Sequence, residues 1–390
     1  MPAREPRRVF LLAGEVSGDV HGSELARELR ALDGDIRLQG VGGPRMAAAG
    51  VEIVESSTTW GVIGWIEAAR HVPAFVRRLN AMTSRLLSDP PDLLVLIDFP
   101  GFNLELLKRV RRRIRAVYYV PPMVAARRGP RDRRVAALGA RLLAIFPFEA
   151  DAYRRAGADV VFVGHPAVDL AASVDPPERV RERLGIAPSV PVVGLLPGSR
   201  RQELVALLDR MLAAGHLIRR GEPRAVFLLA LASPIYRDTV TAAVESSGLR
   251  VTIVDGARDV MAASTVLLMA SGTATVEAMV LGVPMVVVYR LSRLTFAIAH
   301  VALTTRWASI PNILAGETVV PELLQRQATP DKMSEAVLML LADTEARRRM
   351  QTRLRTLAAM LGSPGAARRA AAEVMAALRA VPLDAAAAVQ

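Results

Sequence analysis

A carboxylate at the end of an apolar run is the first feature of this chain that could do chemistry. Leu93–Ile97 is entirely aliphatic, as expected of a buried strand, and Asp98 follows it directly. The pKa of aspartic acid is ordinarily about 3.9, so this carboxylate could accept a proton from an attacking hydroxyl group at neutral pH. The alternative is that Asp98, or Asn103, caps a helix that begins near Phe102.

A glycine-rich segment near the start of the chain is suited to an anion. Residues 13–22 read Ala-Gly-Glu-Val-Ser-Gly-Asp-Val-His-Gly and lead from a predicted strand into a predicted helix. Gly14 and Gly18 would allow a tight turn and a close backbone approach, and the N-terminus of a helix favours negative charge. The spacing is not the dinucleotide-binding G-x-G-x-x-G, which disfavours a dehydrogenase. The alternative is a strand-to-helix turn that binds nothing.

A second turn of this kind lies in the other half of the chain. Residues 195–203 read Leu-Leu-Pro-Gly-Ser-Arg-Arg-Gln-Glu and run from a predicted strand into a helix. Arg200 would lie beside the helix N-terminus, where a guanidinium group and free backbone N–H groups together suit a pyrophosphate. The alternative is a solvated surface arginine.

A third turn follows another predicted strand, at Met269–Glu277. Backbone N–H groups of Gly272 and Thr273 could hold phosphate oxygens, and Glu277, one turn into the helix, could accept hydrogen bonds from a ribose diol. The alternative is a capping box, although the spacing from Thr273 to Glu277 is one residue longer than S/T-x-x-E.

Other chemistries are disfavoured by composition and spacing. The chain has no cysteine, which removes disulfides and thiolate catalysis, and its five histidines show no metal-ligand spacing. Neither lysine lies in a G-K-[ST] motif, and no G-x-S-x-G motif accompanies a histidine. We therefore expect no metal and no cofactor.

The charge of the chain favours an acidic partner. A net charge of +12 suits nucleic acid, anionic lipid or a phosphorylated substrate. Aromatic residues make up only 4% and are not interleaved with the arginine clusters, which argues against nucleic acid. No run of about 18 apolar residues occurs, and the apolar stretch at residues 9–13 is too short for a signal peptide. We expect a soluble or peripheral, cytoplasmic protein.

Strand-sized apolar runs alternate with helical segments, the pattern of βαβ units in a parallel sheet. We predict an α/β protein with an N-terminal domain over residues 1–170, a C-terminal domain over 187–370, and a helix with an alanine-rich tail over 371–390. Ligands of such sheets bind outside the carboxyl ends of the strands, so both domains could face one cleft. The predicted strands are Arg8 to Leu12, Ile36 to Val41, Leu93 to Ile97, Ala116 to Val120, Leu142 to Ile145, Val160 to Val163, Val190 to Leu196, Val226 to Ala230, Val251 to Val254, Val266 to Met269 and Met285 to Tyr289.

An ordered set of short motifs runs along nearly the whole chain. The motifs are Ala13-Gly14-Glu15, Ser17-Gly18-Asp19, Gly43-Pro44-Arg45-Met46, Ile97-Asp98, Phe102-Asn103, Tyr119-Val120, Pro147-Phe148-Glu149, Val163-Gly164-His165-Pro166, Leu196-Pro197-Gly198-Ser199-Arg200, Ser271-Gly272-Thr273-Ala274 with Glu277, Pro311-Asn312 and Pro321-Glu322-Leu323-Leu324-Gln325. Each motif alone is weak, but the ordered set is specific. In this order they resemble the lipid-A-disaccharide synthase family of bacterial inverting glycosyltransferases.

The resemblance implies the GT-B fold, with two Rossmann-like domains facing a central cleft, and a metal-independent reaction. UDP-2,3-diacylglucosamine would donate its sugar to 2,3-diacylglucosamine 1-phosphate, giving the β-1,6 lipid A disaccharide 1-phosphate and UDP. The implied catalytic residues are Asp98 as the base, Arg200 at the departing UDP, and Glu15. The implied substrate-binding residues are Gly14, Ser17, Gly18, Asp19, Ser199, Ser271, Gly272, Thr273, Ala274, Glu277, Asn312 and Gln325.

Two departures from the family pattern concern the acceptor side. The family usually has S-P-x-V-W-A-W after Tyr119-Val120, where this chain has Pro-Pro-Met-Val-Ala-Ala-Arg at residues 121–127. Gly101 stands where an acidic residue is usual. These differences leave open a related GT-B enzyme with an altered lipid acceptor.

Both implied substrates carry acyl chains, so the enzyme would meet them at the anionic surface of the inner membrane. Residues 60–87 combine apolar side chains with Arg70, Arg77, Arg78 and Arg85, a pattern typical of a cationic interfacial segment. A helix with its apolar face in the domain core has the same pattern. The apolar residues of this segment are Trp60, Val62, Ile63, Trp65, Ile66, Val72, Phe75, Val76, Met82 and Leu86.

The resemblance also allows a homodimer.

Two other classes of function stay open on the sequence. A UDP-sugar epimerase of the same architecture would need no acceptor. A basic nucleotide- or nucleic-acid-binding module would tolerate Asp98→Asn.

Overall fold

The computed structural model describes residues 6–57, 60, 68–124, 130–290 and 305–380. The chain divides into two compact units. The first unit comprises Met1–Pro166 together with Gly362–Gln390, and the second comprises Ala167–Leu361.

The first unit contains a seven-stranded sheet in the order β3-β2-β1-β4-β5-β6-β7, in which every pairing is parallel. The central strands are buried along their length because helices cover both faces, which explains their continuous aliphatic runs. The strands are β1 (Arg8–Ala13), β2 (Arg37–Gly42), β3 (Glu52–Ser56), β4 (Leu93–Ile97), β5 (Ala116–Tyr119), β6 (Arg141–Ala144) and β7 (Val160–Phe162).

Helices follow these strands along the chain. They are α1 (Val16–Leu32), α2 (Pro44–Ala48), α3 (Ala68–Ser88), α4 (Pro100–Val110), α5 (Arg131–Ala136), α6 (Pro147–Arg155) and α7 (Pro166–Ala172). The last of them, α7, begins at Pro166, where the first part of the first unit ends.

The second unit contains a six-stranded parallel sheet in the order β10-β9-β8-β11-β12-β13. Its strands are β8 (Val192–Leu196), β9 (Val226–Leu231), β10 (Val251–Asp255), β11 (Val266–Ala270), β12 (Met285–Tyr289) and β13 (Glu322–Leu324). Its helices are α8 (Pro177–Arg183), α9 (Arg201–Gly221), α10 (Arg237–Ser247), α11 (Arg258–Ala263), α12 (Ala274–Val280), α13 (Ile310–Ala315), α14 (Pro330–Ala342) and α15 (Thr344–Ala359).

The last described helix, α16 (Ala366–Arg379), belongs to the first unit and packs along α1. Its small buried face, rich in alanine, allows a close approach. Arg369 donates a hydrogen bond to the carbonyl oxygen of Val163 at 2.8 Å. The sequence-based boundary of the second domain lay at residue 370, whereas the units divide after Leu361. The predicted tail from residue 381 onward lies outside the described residues.

Each sheet reverses its strand order once, and this reversal positions the candidate sites. In the first unit the chain moves outward from β1 and then returns to place β4 on the other side of β1; in the second, β8 and β11 have the same relation. At such a switch point the two following loops diverge, which leaves a crevice at the carboxyl ends of the strands. The segments that follow β1, β4, β8 and β11 carry most of the predicted site residues, whereas Asn312 and Gln325 lie near β13.

Two short strands, β3 and β13, were not predicted. Each lies at an edge of its sheet. Both mix charged with apolar residues, so neither stands out as an apolar run. The predicted strands otherwise match observed ones to within about two residues, the usual uncertainty of strand ends.

Candidate functional site

Asp98 lies immediately after β4 in an unusual backbone conformation. Its φ is 49°, and that of Phe99 is 48°, so two consecutive residues other than glycine adopt the left-handed region. Phe99, not Asp98, occupies the N-cap of α4, and no side chain caps that helix end. The helix-capping alternative for Asp98 is therefore not what the structure shows.

The main chain of Asp98 is held by three hydrogen bonds. Its N–H donates to the carbonyl oxygen of Tyr119 on β5 at 3.0 Å. Its carbonyl oxygen accepts from Nδ2 of Asn103 at 2.7 Å and from the Tyr118 hydroxyl at 2.9 Å. Burial raises the pKa of Tyr118, with a further contribution from the charge of Asp98, so its hydroxyl stays protonated as a donor. Sequence analysis missed Tyr118, whose position at a strand end was the only signal.

Ser17 joins the loop after β1 to the carboxylate of Asp98. Its Oγ donates to Oδ2 of Asp98 at 3.2 Å. Glu15 is half-buried and occupies the N-cap of α1. The structure thus brings together Ser17 and Asp98, which follow the neighbouring strands β1 and β4.

Gly14 in this loop and Gly18 at the start of α1 both lie in closely packed surroundings. A Cβ on Gly14 would lie 2.3 Å from the ring of Phe99, and one on Gly18 would lie 3.1 Å from Cβ of Ala13. Gly14 therefore allows the Phe99 ring to lie against the loop, and Gly18 allows α1 to lie close to β1. These contacts favour the turn and packing interpretation for both residues.

Asp19 holds the start of a different helix. Its buried carboxylate accepts hydrogen bonds from the backbone N–H groups of Gly43, Arg45 and Met46, at 2.7, 3.1 and 3.0 Å. The intervening Pro44 has no N–H, so one carboxylate serves the available donors at the start of α2. These contacts favour a structural role over substrate binding.

Two buried histidines lie near these loops. His21, on α1, packs edge-on to Tyr119 with ring centroids 6.2 Å apart. Burial lowers the pKa of His21 to about 4. Burial, together with the neighbouring His21, lowers that of His165 to about 3. Both rings are therefore neutral at physiological pH.

In the second unit, the turn after β8 is already bonded to an acidic side chain. The backbone N–H groups of Ser199 and Arg200 donate to Oε2 of Glu203, at 3.0 and 3.2 Å. Nη1 of Arg200 lies 3.5 Å from Oε1 of Glu203, and 67% of the Arg200 side chain is exposed. The expectation of free N–H groups at this turn was wrong, because the glutamate one turn along the helix occupies them.

The turn after β11 contains exposed residues. Gly272 and Thr273 are exposed, and Ala274 begins α12. Thr273 makes no side-chain cap, so the capping-box alternative is absent. Oε2 of Glu277 accepts from Nε of Arg258 at 3.0 Å. The Ser271 hydroxyl donates to the carbonyl oxygen of Ala308 at 2.7 Å.

Asn312 is completely buried in a network that orders the chain around β13. Its Nδ2 donates to the carbonyl oxygen of Val320 and to Glu322, and its Oδ1 accepts from the N–H groups of Val319 and Val320. Gln325 lies at the end of β13 with φ of 53°. The hydrogen bonds of Asn312 therefore favour a structural role. Gln325 is half-buried just after β13.

Comparison with known proteins decides the family. The family model described as Lipid-A-disaccharide synthetase matches residues 9–375. This chain belongs to that family. It is 37% identical to the lipid-A-disaccharide synthase of Trichlorobacter lovleyi, covering 96% of this chain and 98% of the relative. It is 38% identical to that of Myxococcus xanthus, covering 95% and 97%.

Membership in the lipid-A-disaccharide synthetase family confirms the predicted glycosyltransferase class and its place in lipid A biosynthesis. A UDP-GlcNAc 2-epimerase from Neisseria meningitidis, solved with UDP-GlcNAc, has a similar fold, with a TM-score of 0.64, 12% identity, and coverage of 95% of this chain and 100% of that one. At that identity the similarity shows the fold alone. The predicted α/β class with two Rossmann-like domains of the GT-B type is confirmed.

The departures from the family pattern lie partly in described regions. Residues 125–127 lie outside them. A Cβ on Gly101 would meet nothing within 4 Å, so packing at this position does not require glycine. The N–H of Val124 donates to the buried carboxylate of Glu149 at 2.7 Å, which ties this segment to α6.

The segment predicted to contact a membrane is mostly part of the core where it is described. Trp60 is 2% exposed, and Met82 and Leu86 are buried with it. Arg78 bonds to Glu55 and lies over the Trp60 ring. The side chains of Val62, Ile63, Trp65, Ile66, Arg70 and Val72 lie outside the described residues. The described part therefore favours core packing, although Val76 is 40% exposed.

Two features are absent from the part of the chain that the structure describes. No helix there has both the length and the apolar character needed to cross a membrane. No group of three or more candidate metal-ligating side chains occurs in that part of the chain.

Proposed function

We propose that this protein transfers the sugar of UDP-2,3-diacylglucosamine to the 6-hydroxyl of 2,3-diacylglucosamine 1-phosphate. The products are the β-1,6 lipid A disaccharide 1-phosphate and UDP. Family membership supports the reaction class, and the carboxylate of Asp98 at the β1/β4 switch point is the observation that supports the mechanism.

In this mechanism the first unit supplies the base. Asp98 accepts the proton of the 6-hydroxyl as its oxygen attacks the anomeric carbon. The new carbon–oxygen bond forms while the bond to the UDP oxygen breaks, and its electron pair leaves with UDP. Direct displacement inverts the configuration. Ser17 orients the carboxylate through its hydrogen bond to Oδ2, and Glu15 lies on the same loop.

The second unit supplies the nucleotide site. Arg200 and the N-terminus of α9 would stabilise the charge that develops on UDP, and the N–H groups of the exposed residues after β11 would hold phosphate oxygens. A pyrophosphate at Ser199 and Arg200 would displace the Glu203 carboxylate from their N–H groups. Glu277, already paired with Arg258, would accept hydrogen bonds from the ribose.

The acylated substrates require a membrane surface. We propose that the protein works peripherally on the cytoplasmic face of the inner membrane, supported by its net charge of +12 and the acyl chains of both substrates. Anionic liposomes would test this. Salt-sensitive binding is expected, and binding that survives replacement of Arg70, Arg77, Arg78 and Arg85 would reject the segment at residues 60–87 as the contact.

One assay tests the reaction against its main competitor. Purified protein is given UDP-diacylglucosamine with and without the monosaccharide 1-phosphate acceptor, and UDP and disaccharide are measured. Disaccharide formation only with acceptor is expected. Acceptor-independent release of UDP would favour an epimerase. Asp98→Asn should lower turnover at least about a thousandfold, with UDP affinity little changed, because general-base catalysis contributes at about this scale; a wild-type rate would remove Asp98 as the base.

A further inference from the structure

The backbone at Asp98 is held in a conformation that its sequence does not favour. Asp98 and Phe99 both have positive φ, at 49° and 48°. For residues with a Cβ, the left-handed region is sterically unfavourable. Such strain persists only where surrounding contacts impose it, and it concentrates at functional sites.

Two buried side chains impose this conformation from different elements. Tyr118, on β5, and Asn103, in the first turn of α4, both donate to the carbonyl oxygen of Asp98, at 2.9 and 2.7 Å. Asn103 donates in addition to the carbonyl oxygen of Ile97 at 3.3 Å. Both residues are 0% exposed, so water does not substitute for either donor.

Hydrogen bonds fix the peptide groups on both sides of Asp98. They fix the peptide group between Asp98 and Phe99, and the Asp98 N–H is fixed on the other side by Tyr119. With both neighbouring peptide groups fixed, the Cα–Cβ bond of Asp98 has one orientation. The side chain of Asp98 therefore points in a defined direction, and its carboxylate accepts the hydrogen bond from Ser17 there.

We propose that Tyr118 and Asn103 are positioning residues that hold the Asp98 backbone in its left-handed conformation and so aim its carboxylate at the acceptor hydroxyl. This inference rests on the proposed function, in which Asp98 is the base. Neither side chain touches the carboxylate through a hydrogen bond that the structure shows. Their effect on the reaction is through orientation.

Tyr118→Phe is the sharpest test because it removes one oxygen atom and keeps the ring. The matched control is Tyr153→Phe: Tyr153 lies in the same core cluster, and its hydroxyl donates to the carbonyl oxygen of Pro122 at 2.6 Å. Both deletions remove one buried hydrogen bond to a main-chain carbonyl. Only Tyr118→Phe removes a hydrogen bond to Asp98.

Four quantities are measured for each variant: kcat for disaccharide formation per UDP-binding site, KM for the UDP-sugar, UDP affinity, and the acid limb of the kcat–pH profile. Tyr118→Phe should lower kcat about tenfold, as expected for a misplaced base, and leave the other three unchanged. Tyr153→Phe should keep kcat within about twofold of wild type. Asn103→Ala should act like Tyr118→Phe where it folds, as judged by UDP-binding stoichiometry.

Three results would overturn the inference. The first is a kcat of Tyr118→Phe within about twofold of wild type, and the second is an equal loss of kcat in Tyr153→Phe. The third is a shifted acid limb in the kcat–pH profile of Tyr118→Phe, which would make Tyr118 an electrostatic partner of the Asp98 carboxylate. Asp98→Asn is assayed alongside. A wild-type rate in Asp98→Asn would remove the proposed base itself, whereas an inactive Asp98→Asn with a fully active Tyr118→Phe would remove only the positioning role.

Discussion

The hydroxyl of Ser17 donates to Oδ2 of Asp98 at 3.2 Å, which links two loops 81 residues apart in the chain. The link forms because β1 and β4 are neighbours at the switch point, with Ala13 in register with Ile97. One residue on α1 therefore constrains a side chain that follows another strand.

Removal of this hydroxyl should weaken turnover without weakening nucleotide binding. We expect Ser17→Ala to lower kcat about three- to tenfold, because a hydrogen bond to a charged group orients it. Steady-state kinetics and UDP titration measure this. Ser23→Ala is the control, since Ser23 lies on the same helix and its hydroxyl donates to the carbonyl oxygen of Val20. Equal effects of both variants would reject a specific role for Ser17.

A methyl group at Gly14 should displace Phe99 and, through it, the adjacent Asp98. We expect Gly14→Ala to lower kcat at least about tenfold, because the added Cβ would lie 2.3 Å from the Phe99 ring. Phe99→Leu in the same chain should restore part of the loss by making room. Gly101→Ala, on the adjacent helix with no atom within 4 Å, should keep full activity. A fully active Gly14→Ala would contradict the packing interpretation.

Asp19 should matter for stability more than for substrate. We expect Asp19→Ala to lower the free energy of unfolding by about 3 kcal/mol, because backbone N–H groups at the start of α2 lose their acceptor. Urea unfolding measures this, with exposed Asp35→Ala as a near-neutral control. Unchanged stability with a raised KM for substrate would instead support the binding role predicted from the sequence.

The buried histidines should make the fold acid-sensitive. The folded-state pKa values of His21 and His165, about 4 and about 3, lie below the ordinary value of 6.5. As the pH falls below 6.5, the unfolded state takes up protons that the folded state does not, so stability is complete above 6.5 and is lost toward pH 4 and 3. Between pH 7.5 and pH 5 we expect a loss of about 2 kcal/mol for each histidine.

Comparison of His21→Gln with wild type isolates this contribution from that of the carboxylates. Urea unfolding at pH 7.5 and pH 5 should show a smaller loss of unfolding free energy in His21→Gln. Equal losses in the two proteins would mean that His21 is not held neutral in the fold.

Much of the architecture was readable from the sequence, since short aliphatic runs such as Leu93–Ile97 alternate with longer segments of helical periodicity. The turns after β1, β4, β8 and β11 were predicted at their observed places. The edge strands β3 and β13 were missed because they lack such runs. The edge strands β7 and β10 were predicted from their apolar residues, Val160–Phe162 and Ile253–Val254.

The roles of individual polar residues were harder to predict. Asp19 was expected near substrate, but its carboxylate bonds to a helix start 24 residues later. The N–H groups at Arg200 were expected to be free, but Glu203 occupies them. Tyr118 had only its position near a strand end as a sequence signal, although its hydroxyl bonds to the main chain of Asp98.

The sequence by itself determined two parallel sheets and the loops at their strand ends, because hydrophobic periodicity and turn residues act over a few neighbouring positions. Only the tertiary structure decided which polar groups in those loops hold the fold and which remain directed toward chemistry. The physical reason is that a buried polar group takes whichever donor or acceptor the folded chain brings within about 3 Å, and that partner often comes from a distant segment.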